Sequence, residues 1–506
     1  MPVAAASASR LRSADWLPVA ALVAAIVLRS WFFLAWDEAY FDSDQAIVGL
    51  MAKHLTEGRA WPLFFYGQEY MLAVEAWAMA PVFLVLGPSV FALHLTMVLF
   101  NVAAALLLWT LLVREARLSP WLAVLAILPF ALAPVILSAH LIEAQGGNPE
   151  PFLWVGIFWV ARRRPLLVGS LAAVAFLHRE FTIFALPALG VAALWQRVLD
   201  RSDQRQWLGE LRHWILVAFA FIVVFLSIQA LKPVADLMGP DTAGMRAPDR
   251  PQDNITQLQN RIEWNPPAIP RRVAALPTQL FPMLLGVSPL DPRVLAIGSP
   301  VRVGWPELAP LLTVFAVAWP FAVVFGRVRA PKGAAIFPVY LMLVGVQAAL
   351  VYAVTRDPSV YLLRYALLAL LVPLGLAALL LQPGRLWGVQ LATGVFLALL
   401  AATSAVDHAR VIQQARHGFR PLRFADAASR LLERGIEVGR AGYWRSYAIT
   451  FLTRERVKLT STEVLRIQEY EDLADAAEPA VLHVQEQPCA AGIPEDRVGV
   501  WYLCGP

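Results

Sequence analysis

The sequence predicts an all-α polytopic membrane protein of about eleven transmembrane helices, with helices on the extracytoplasmic surface and a small C-terminal α/β domain. Three observations carry this. Hydrophobic residues make up 58% of the 506 residues and charged residues only 16%, where a soluble chain carries about a quarter charged. Mean hydropathy is +0.58. Apolar runs long enough to cross a bilayer recur along the chain, and the stretch from Asp407 onward breaks into short alternating segments instead.

The spanning runs are 16–36, 89–113, 118–139, 213–231, 305–325, 334–354, 365–381 and 386–406. Between them, 151–161, 165–177 and 181–195 are shorter than a straight span of about 20 residues. They are read as short spans around a cavity, or as a re-entrant pair over Leu166–Trp195 that lowers the count to nine. The first run follows Arg10 and Arg12 and exceeds a signal-peptide core, so it reads as a retained anchor. With the N-terminus cytoplasmic, fifteen basic residues of the short loops fall inside, Arg114, Arg162–Arg164 and Arg197 among them. Five fall outside: Lys53, Arg59, Arg179, Arg356 and Arg364. That bias orients the chain as a multi-pass inner (plasma) membrane protein. Segments 37–88, 232–304 and 407–506 then lie outside, giving a membrane domain over 1–406 and an extracytoplasmic domain over 407–506.

The formal charge of +5 does not point to nucleic acid, because the basic residues are scattered rather than massed. The first outer segment opens on Asp37-Glu38-Ala39-Tyr40-Phe41-Asp42-Ser43-Asp44-Gln45, four carboxylates at the mouth of a membrane helix. Asp44–Glu57 has apolar residues at helical spacing and ends at Gly58; Glu69–Leu86 reads as a second helix broken by Gly87-Pro88. Both are expected to lie on the outer surface as amphipathic helices. The Pro-rich 232–304 segment, with its single sequon Asn254-Ile255-Thr256, reads as a wall of short helices. In the tail, Phe424–Arg434 is helical by pattern, and Val438–Tyr443, Arg456–Leu459, Val481–Val484 and Val498–Leu503 read as strands. Cys489 and Cys504 fall in an oxidising compartment, where a disulfide is expected.

Taken together, several motifs resemble the GT-C glycosyltransferases, nearest the protein O-mannosyltransferase and lipid A aminoarabinose-transferase group. They are Asp42-Ser43-Asp44-Gln45 running into Leu55-Thr56-Glu57-Gly58, Trp77 with the Phe83–Gly87 ending, and Leu-Gly-Pro-Ser-Val-Phe-Ala-Leu-His-Leu entering the second span. Gln145-Gly146-Gly147-Asn148-Pro149-Glu150 is similar to the family's glycine-containing outer loop, and Tyr361-Leu362-Leu363-Arg364-Tyr365 to its late Arg-Tyr motif. The likeness covers about 1–200 well and 305–406 loosely. Gln45 stands where a second acid is often found. The resemblance implies inverting transfer of a sugar from a polyprenyl-phosphate donor to a glycan, lipid or protein acceptor on the outer face.

Such a displacement needs a base for the acceptor proton and cations for the departing phosphate. Asp44 is the expected base and Asp42 its rival, although Asp44 also stands where a helix N-cap would. Arg364 and Tyr365 are the expected phosphate-binding pair, against a plain interfacial anchor. His178 and Arg179 are expected at the donor site, with Glu180 in a self-paired cluster as the alternative. Glu150, Glu143 and His140 are candidate substrate contacts, and Glu69 and Glu75 further ones. Arg29 is read as snorkelling or ion-paired, and Asp37 and Glu38 as solvated at the interface. No cofactor is expected; a divalent metal on Asp42 and Asp44 is the disfavoured alternative. A transporter or lipid flippase is the competing class, but it calls for two related halves. A catalytically silent scaffold is the third.

Overall fold

The computed structural model describes residues 16–36, 38–199, 204–232, 256, 265–289, 303–315, 335–354, 360–417 and 424–505. Arg10 and Arg12, Asp37, Asn254-Ile255, Arg356, most of 232–304 and the second part of the 305–325 run lie outside those residues.

Seven described helical stretches are long and apolar enough to cross a membrane, or eight if one bent pair is a single span. They include α1 (Trp16–Ala35), α4 (Val90–Arg114), α10 (Gln204–Gln229), α11 (Ile336–Val354) and α13 (Trp387–Arg416). A 3-10 turn at Glu180–Phe184 leading into α9 (Ala185–Leu199) makes another, and the 3-10 stretch Val360–Leu370 leading into α12 (Leu371–Leu380) another. α7 (Glu150–Ala161) and α8 (Pro165–His178) are shorter apolar helices. Polar N-terminal signals start several of these: the Ser89 side chain accepts from Ala92 N–H at 3.2 Å and opens α4. α10 turns Leu208, Leu211, Ile215, Phe219 and Ile222 outward, each more than half exposed, as a lipid-facing helix does.

The expected span 118–139 is not one helix. It breaks into α5 (Pro120–Ala131) and α6 (Val135–Ile142), bent by 83°. Pro134 lacks an N–H and disfavours helical geometry at Ala133, so the chain turns there. The last span continues past 406, so Asp407 and His408 belong to the bundle. Asp407 accepts from Gly304 N–H at 2.8 Å, and His408 Nε2 lies 2.9 Å from the Ala133 carbonyl at the bend.

The first loop differs from its reading in two ways. α2 (Ser43–Thr56) is not an exposed amphipathic helix: every residue from Gln45 to Leu55 is buried, because α3 (Val74–Leu86) packs on one side and the C-terminal domain on the other. Gln68–Leu72 is not helical either. It is strand β2, paired with β1 (Phe64–Phe65) around Gly67, whose φ of 65° makes the turn, so helix α3 starts only at Val74.

The tail holds a five-stranded sheet in the order β4-β3-β5-β7-β6. β3 (Val438–Ala441) runs parallel to β4 (Lys458–Ser461) and β5 (Leu482–Gln485), with α15 (Tyr443–Leu452) and α16 (Gln468–Ala477) as crossovers and α14 (Phe424–Glu433) ahead of β3. The expected strand Val498–Leu503 is instead a hairpin of β6 (Glu495–Val498) and β7 (Trp501–Cys504), turning at Gly499 with φ 62°. Cys489 and Cys504 are joined, their Cα atoms 5.5 Å apart.

Among the contacts that seat this domain on the first loop are the following three. Glu38, read as a solvated interface carboxylate, instead accepts from Phe424 and Ala425 N–H at the start of α14, a helix N-terminus with donors to fill. Phe451 of α15 fills a hole at Gly49 of α2, where an added Cβ would come within 2.5 Å of its ring. Glu455 is buried among Lys53, His54 Nε2 at 3.0 Å and Arg59 at 3.1 Å, and Tyr470 donates to it at 2.7 Å. These partners hold the Glu455 carboxyl well below the usual carboxylate range against its desolvation.

Candidate active site

Asp42, not Asp44, caps α2. Its Oδ1 accepts from Gln45 N–H at 3.0 Å, and its Oδ2 accepts from Gln145 Nε2 at 2.9 Å. Burial, then the nearby carboxylates of Asp44 and Glu143, push the Asp42 carboxyl well above its usual range. A capped, crowded and protonation-prone carboxyl is poorly placed to act as a base at neutral pH.

Asp44, one position into the first turn, is half-buried and differently held. Tyr443 Oη, at the start of α15, donates to its Oδ1. That hydroxyl in turn accepts from Nε and Nη2 of buried Arg466, each at 3.3 Å, while Arg466 Nη1 donates to the Gly67 carbonyl at 3.0 Å. Among the described residues nothing donates to Asp44 Oδ2, so one oxygen is positioned and the other left to accept a proton.

Gln45 is buried and part of the scaffold. Its Nε2 donates to the Tyr40 carbonyl at 2.5 Å, and its Oε1 lies 3.2 Å from His94 Nε2. The amide thus clamps Tyr40, a non-glycine residue at φ 60°, in the turn that aims the acidic loop.

The cationic side comes from the late 3-10 stretch and the end of α8. Arg364 donates to Gln145 Oε1 and to Tyr365 Oη at 3.3 Å, and lies 4.0 Å from Glu143 and near enough to Asp44 to feel its charge. Gln145 therefore bridges Arg364 to Asp42. Arg179 reaches Asn148 Oδ1 at 3.4 Å and stacks over the Phe181 and Tyr365 rings, 5.5 Å from each centroid. Among the described residues, the Nε atoms of both arginines are buried without a hydrogen-bond partner. Glu143 accepts from Asn148 at 3.0 Å and meets His140 at 3.1 Å, and His140 Nδ1 also meets Tyr40 Oη at 3.0 Å; these two fix the loop.

His178 and Glu150 belong to a second cluster behind this one. Glu75 of α3 is buried, its carboxylate gripped by the N–H groups of Gly146 and Gly147, whose φ values of 83° and 94° only glycine adopts comfortably. Burial pushes Glu75 up to about 7. Among the described residues neither oxygen of Glu150 has a donor, and His178 Nε2 has no partner. Ligand atoms of Glu75, Glu150 and His178 lie within 4.8 Å of one another. Two carboxylates and an imidazole share a proton in such a pocket or hold a divalent cation. Among the described residues this is the group of three side chains with metal-ligand spacing.

Arg29 lies apart. It is fully buried rather than snorkelling, and among the described residues it has no ion pair: Nη2 donates to Asn101 Oδ1 at 2.6 Å and the guanidinium covers Phe130. Glu69 lies half-buried on β2. The residues that sequence reasoning missed are Tyr443 and Arg466. Tyr443 leaves the carboxyl end of a parallel strand by way of Gly442, a place where α/β sheets commonly present functional side chains, so the signal was there.

No family model matches the sequence, and no curated protein does. Among solved structures, the chain is similar to ArnT from Cupriavidus metallidurans bound to undecaprenyl phosphate, with a TM-score of 0.58 at 11% identity over 97% of this chain and 98% of that one. The apo state of ArnT superposes with a TM-score of 0.46 at 13% identity over the same shares. At this identity the likeness is one of fold: the chain is a GT-C-like multi-pass membrane protein with a small C-terminal sheet domain.

Proposed function

We propose that this protein is an inverting glycosyltransferase that moves a hexose or pentose from a polyprenyl-phosphate donor to an acceptor on the extracytoplasmic face of the inner membrane. One observation carries the reading: a half-buried carboxylate with a free oxygen lies near Arg364, Arg364 and Arg179 both lie over the Tyr365 ring, and each keeps an unpartnered N–H among the described residues, in a fold like that of a structure holding undecaprenyl phosphate. Asp44 Oδ2 takes the acceptor hydroxyl proton while that oxygen attacks the anomeric carbon. The bond from that carbon to the phosphate oxygen breaks, and its electron pair leaves with the phosphate. Arg364 and Arg179 stabilise the charge that develops there, Arg364 exchanging Gln145 for the leaving oxygen. We assign no cofactor, because a base and a cationic phosphate site supply what a single displacement requires.

The test is Asp44→Asn beside Asp42→Asn, each assayed in membranes with radiolabelled polyprenyl-phosphate sugar. Asp44→Asn keeps normal protein levels and loses transfer by at least about 100-fold, the general-base contribution; Asp42→Asn keeps measurable activity. Full activity in Asp44→Asn removes it from the mechanism.

A further inference from the structure

A cavity of about 410 Å³ opens at the end of the bundle opposite Asp44. It lies where α7 ends and α8 begins, and where α9 ends and α10 and α11 begin. Along α7, Trp159 in its lining stands nine residues from Glu150, about 14 Å at the helical rise per residue. No residue of the candidate active site lines it.

Its lining carries three guanidiniums, from Arg162, Arg163 and Arg197, against one carboxylate, Glu210. Glu210 is already engaged, accepting from Arg197 at 3.2 Å and from Trp214 Nε1 at 3.0 Å. Arg162 is bound to Glu115 at 3.0 Å and lies over the Trp159 ring at 4.3 Å. Arg163 is close enough to repel Arg162, and among the described residues no acid balances it. His213 adds an imidazole whose described contact is with the Trp214 ring. Gln196 apart, the rest of the wall is mostly apolar, Val168, Leu189, Ala192 and Ile336 among it. Beside it, α9 exposes Val191, Leu194 and Val198, each at least 44% accessible. An uncompensated cationic end joined to an apolar wall and an exposed apolar helix face matches a molecule with an anionic head and hydrocarbon tails.

We infer that this cavity binds the phosphate headgroup of an anionic phospholipid, through Arg163 and His213, with the acyl chains laid along α9. Arg162 and Arg197, held by their acids and by Trp159, form the rigid wall against which the headgroup seats.

The experiment is native mass spectrometry of the full-length protein released from detergent, probed separately with phosphatidylglycerol, phosphatidylcholine, undecaprenyl phosphate and inorganic phosphate. One phosphatidylglycerol is retained where phosphatidylcholine is not, and Arg163→Gln/His213→Gln lowers that retention at least about tenfold, the loss expected for a hydrogen bond to a charged group. Arg163 is exposed, so its substitution spares folding, and Ala193→Phe, which fills the cavity and leaves every cation in place, lowers retention equally. Undecaprenyl phosphate that displaces phosphatidylglycerol and is lost in the same variants upholds the lipid-phosphate site and transfers its occupancy to the carrier. Equal retention of phosphatidylcholine, unchanged retention in the variants, or binding of inorganic phosphate without lipid overturns the inference.

Discussion

Tyr443→Phe removes one oxygen atom and tests whether the C-terminal domain takes part in the chemistry. The Tyr443 ring is packed against Trp444 and Tyr447, with centroids 5.2 and 5.9 Å away, and phenylalanine preserves both contacts. The hydroxyl makes one hydrogen bond to the Asp44 carboxylate and receives two at 3.3 Å from Arg466. A hydrogen bond to a charged group contributes about 1.5–3 kcal/mol. If that holds Asp44 in its attacking rotamer, kcat falls about 10- to 100-fold, at about 1.4 kcal/mol per decade. KM for the lipid donor changes little, because Arg364 and Arg179 are untouched. The assay is steady-state transfer by purified enzyme across pH 5–9, with a melting curve as control for folding. Wild-type kcat refutes the positioning role and leaves the Asp44 proposal standing.

Gly49→Val drives a side chain into the Phe451 ring, 2.5 Å from the ideal Cβ position. Overpacking of this kind costs about 1–3 kcal/mol, so limited proteolysis should release the tail faster, and adding Phe451→Ala should partly restore resistance. Glu455→Gln removes the buried acid among Lys53, His54 and Arg59; because Lys53 keeps Glu57 and Arg59 keeps Glu57 and Glu469, the cost near neutral pH is about 1.5–3 kcal/mol. The folded pKa of Glu455 is depressed, so its stabilisation is full above the ordinary value of 4.5 and fades as pH falls below it. Wild-type and variant melting temperatures should therefore converge on acidification, and a constant gap would contradict the linkage. Reporter fusions after residues 70, 330 and 450 should read outside, inside and outside; a cytoplasmic signal at 450 would invert the proposed orientation.

Most long spans were legible because their signal is local: the boundaries of 16–36, 89–113 and 334–354 differ from the helices by at most two residues. The break at Ala133-Pro134 was legible as well, since proline and its predecessor both resist helix, but the apolar run outweighed it. The surface reading of α2 went astray for a different reason. Apolar spacing reveals that a face is covered but not by what, and here a domain nearly 400 residues later covers the rest. The same gap hid the identity of the cap. Asp42 and Asp44 both suit the start of a helix, and only the backbone, extended at Asp42, decides between them. Arg29 was assigned a charged partner because isolated cations usually need one, whereas the fold supplies a neutral amide and a ring. Arg364, Arg179 and Gln145 were individually visible as polar residues near span ends. Their convergence depends on packing between helices that no local pattern encodes.

The acidic loop is gripped from both sides by residues made much later: Glu38 holds α14 across a sequence separation of 386, and Tyr443 holds Asp44 across 399. At about 5–20 residues per second, the ribosome delivers these partners about 20–80 s after the loop itself. During that interval Asp44 lacks its Tyr443 partner and α2 still lacks one of its two covers. Under the proposed function each molecule therefore stays inactive through its synthesis, and the last hundred residues act as the arming step. On the same proposal, a nascent chain stalled before Tyr443 would carry Arg364 and Arg179 but no aligned carboxylate, able to hold a lipid-phosphate donor without discharging it.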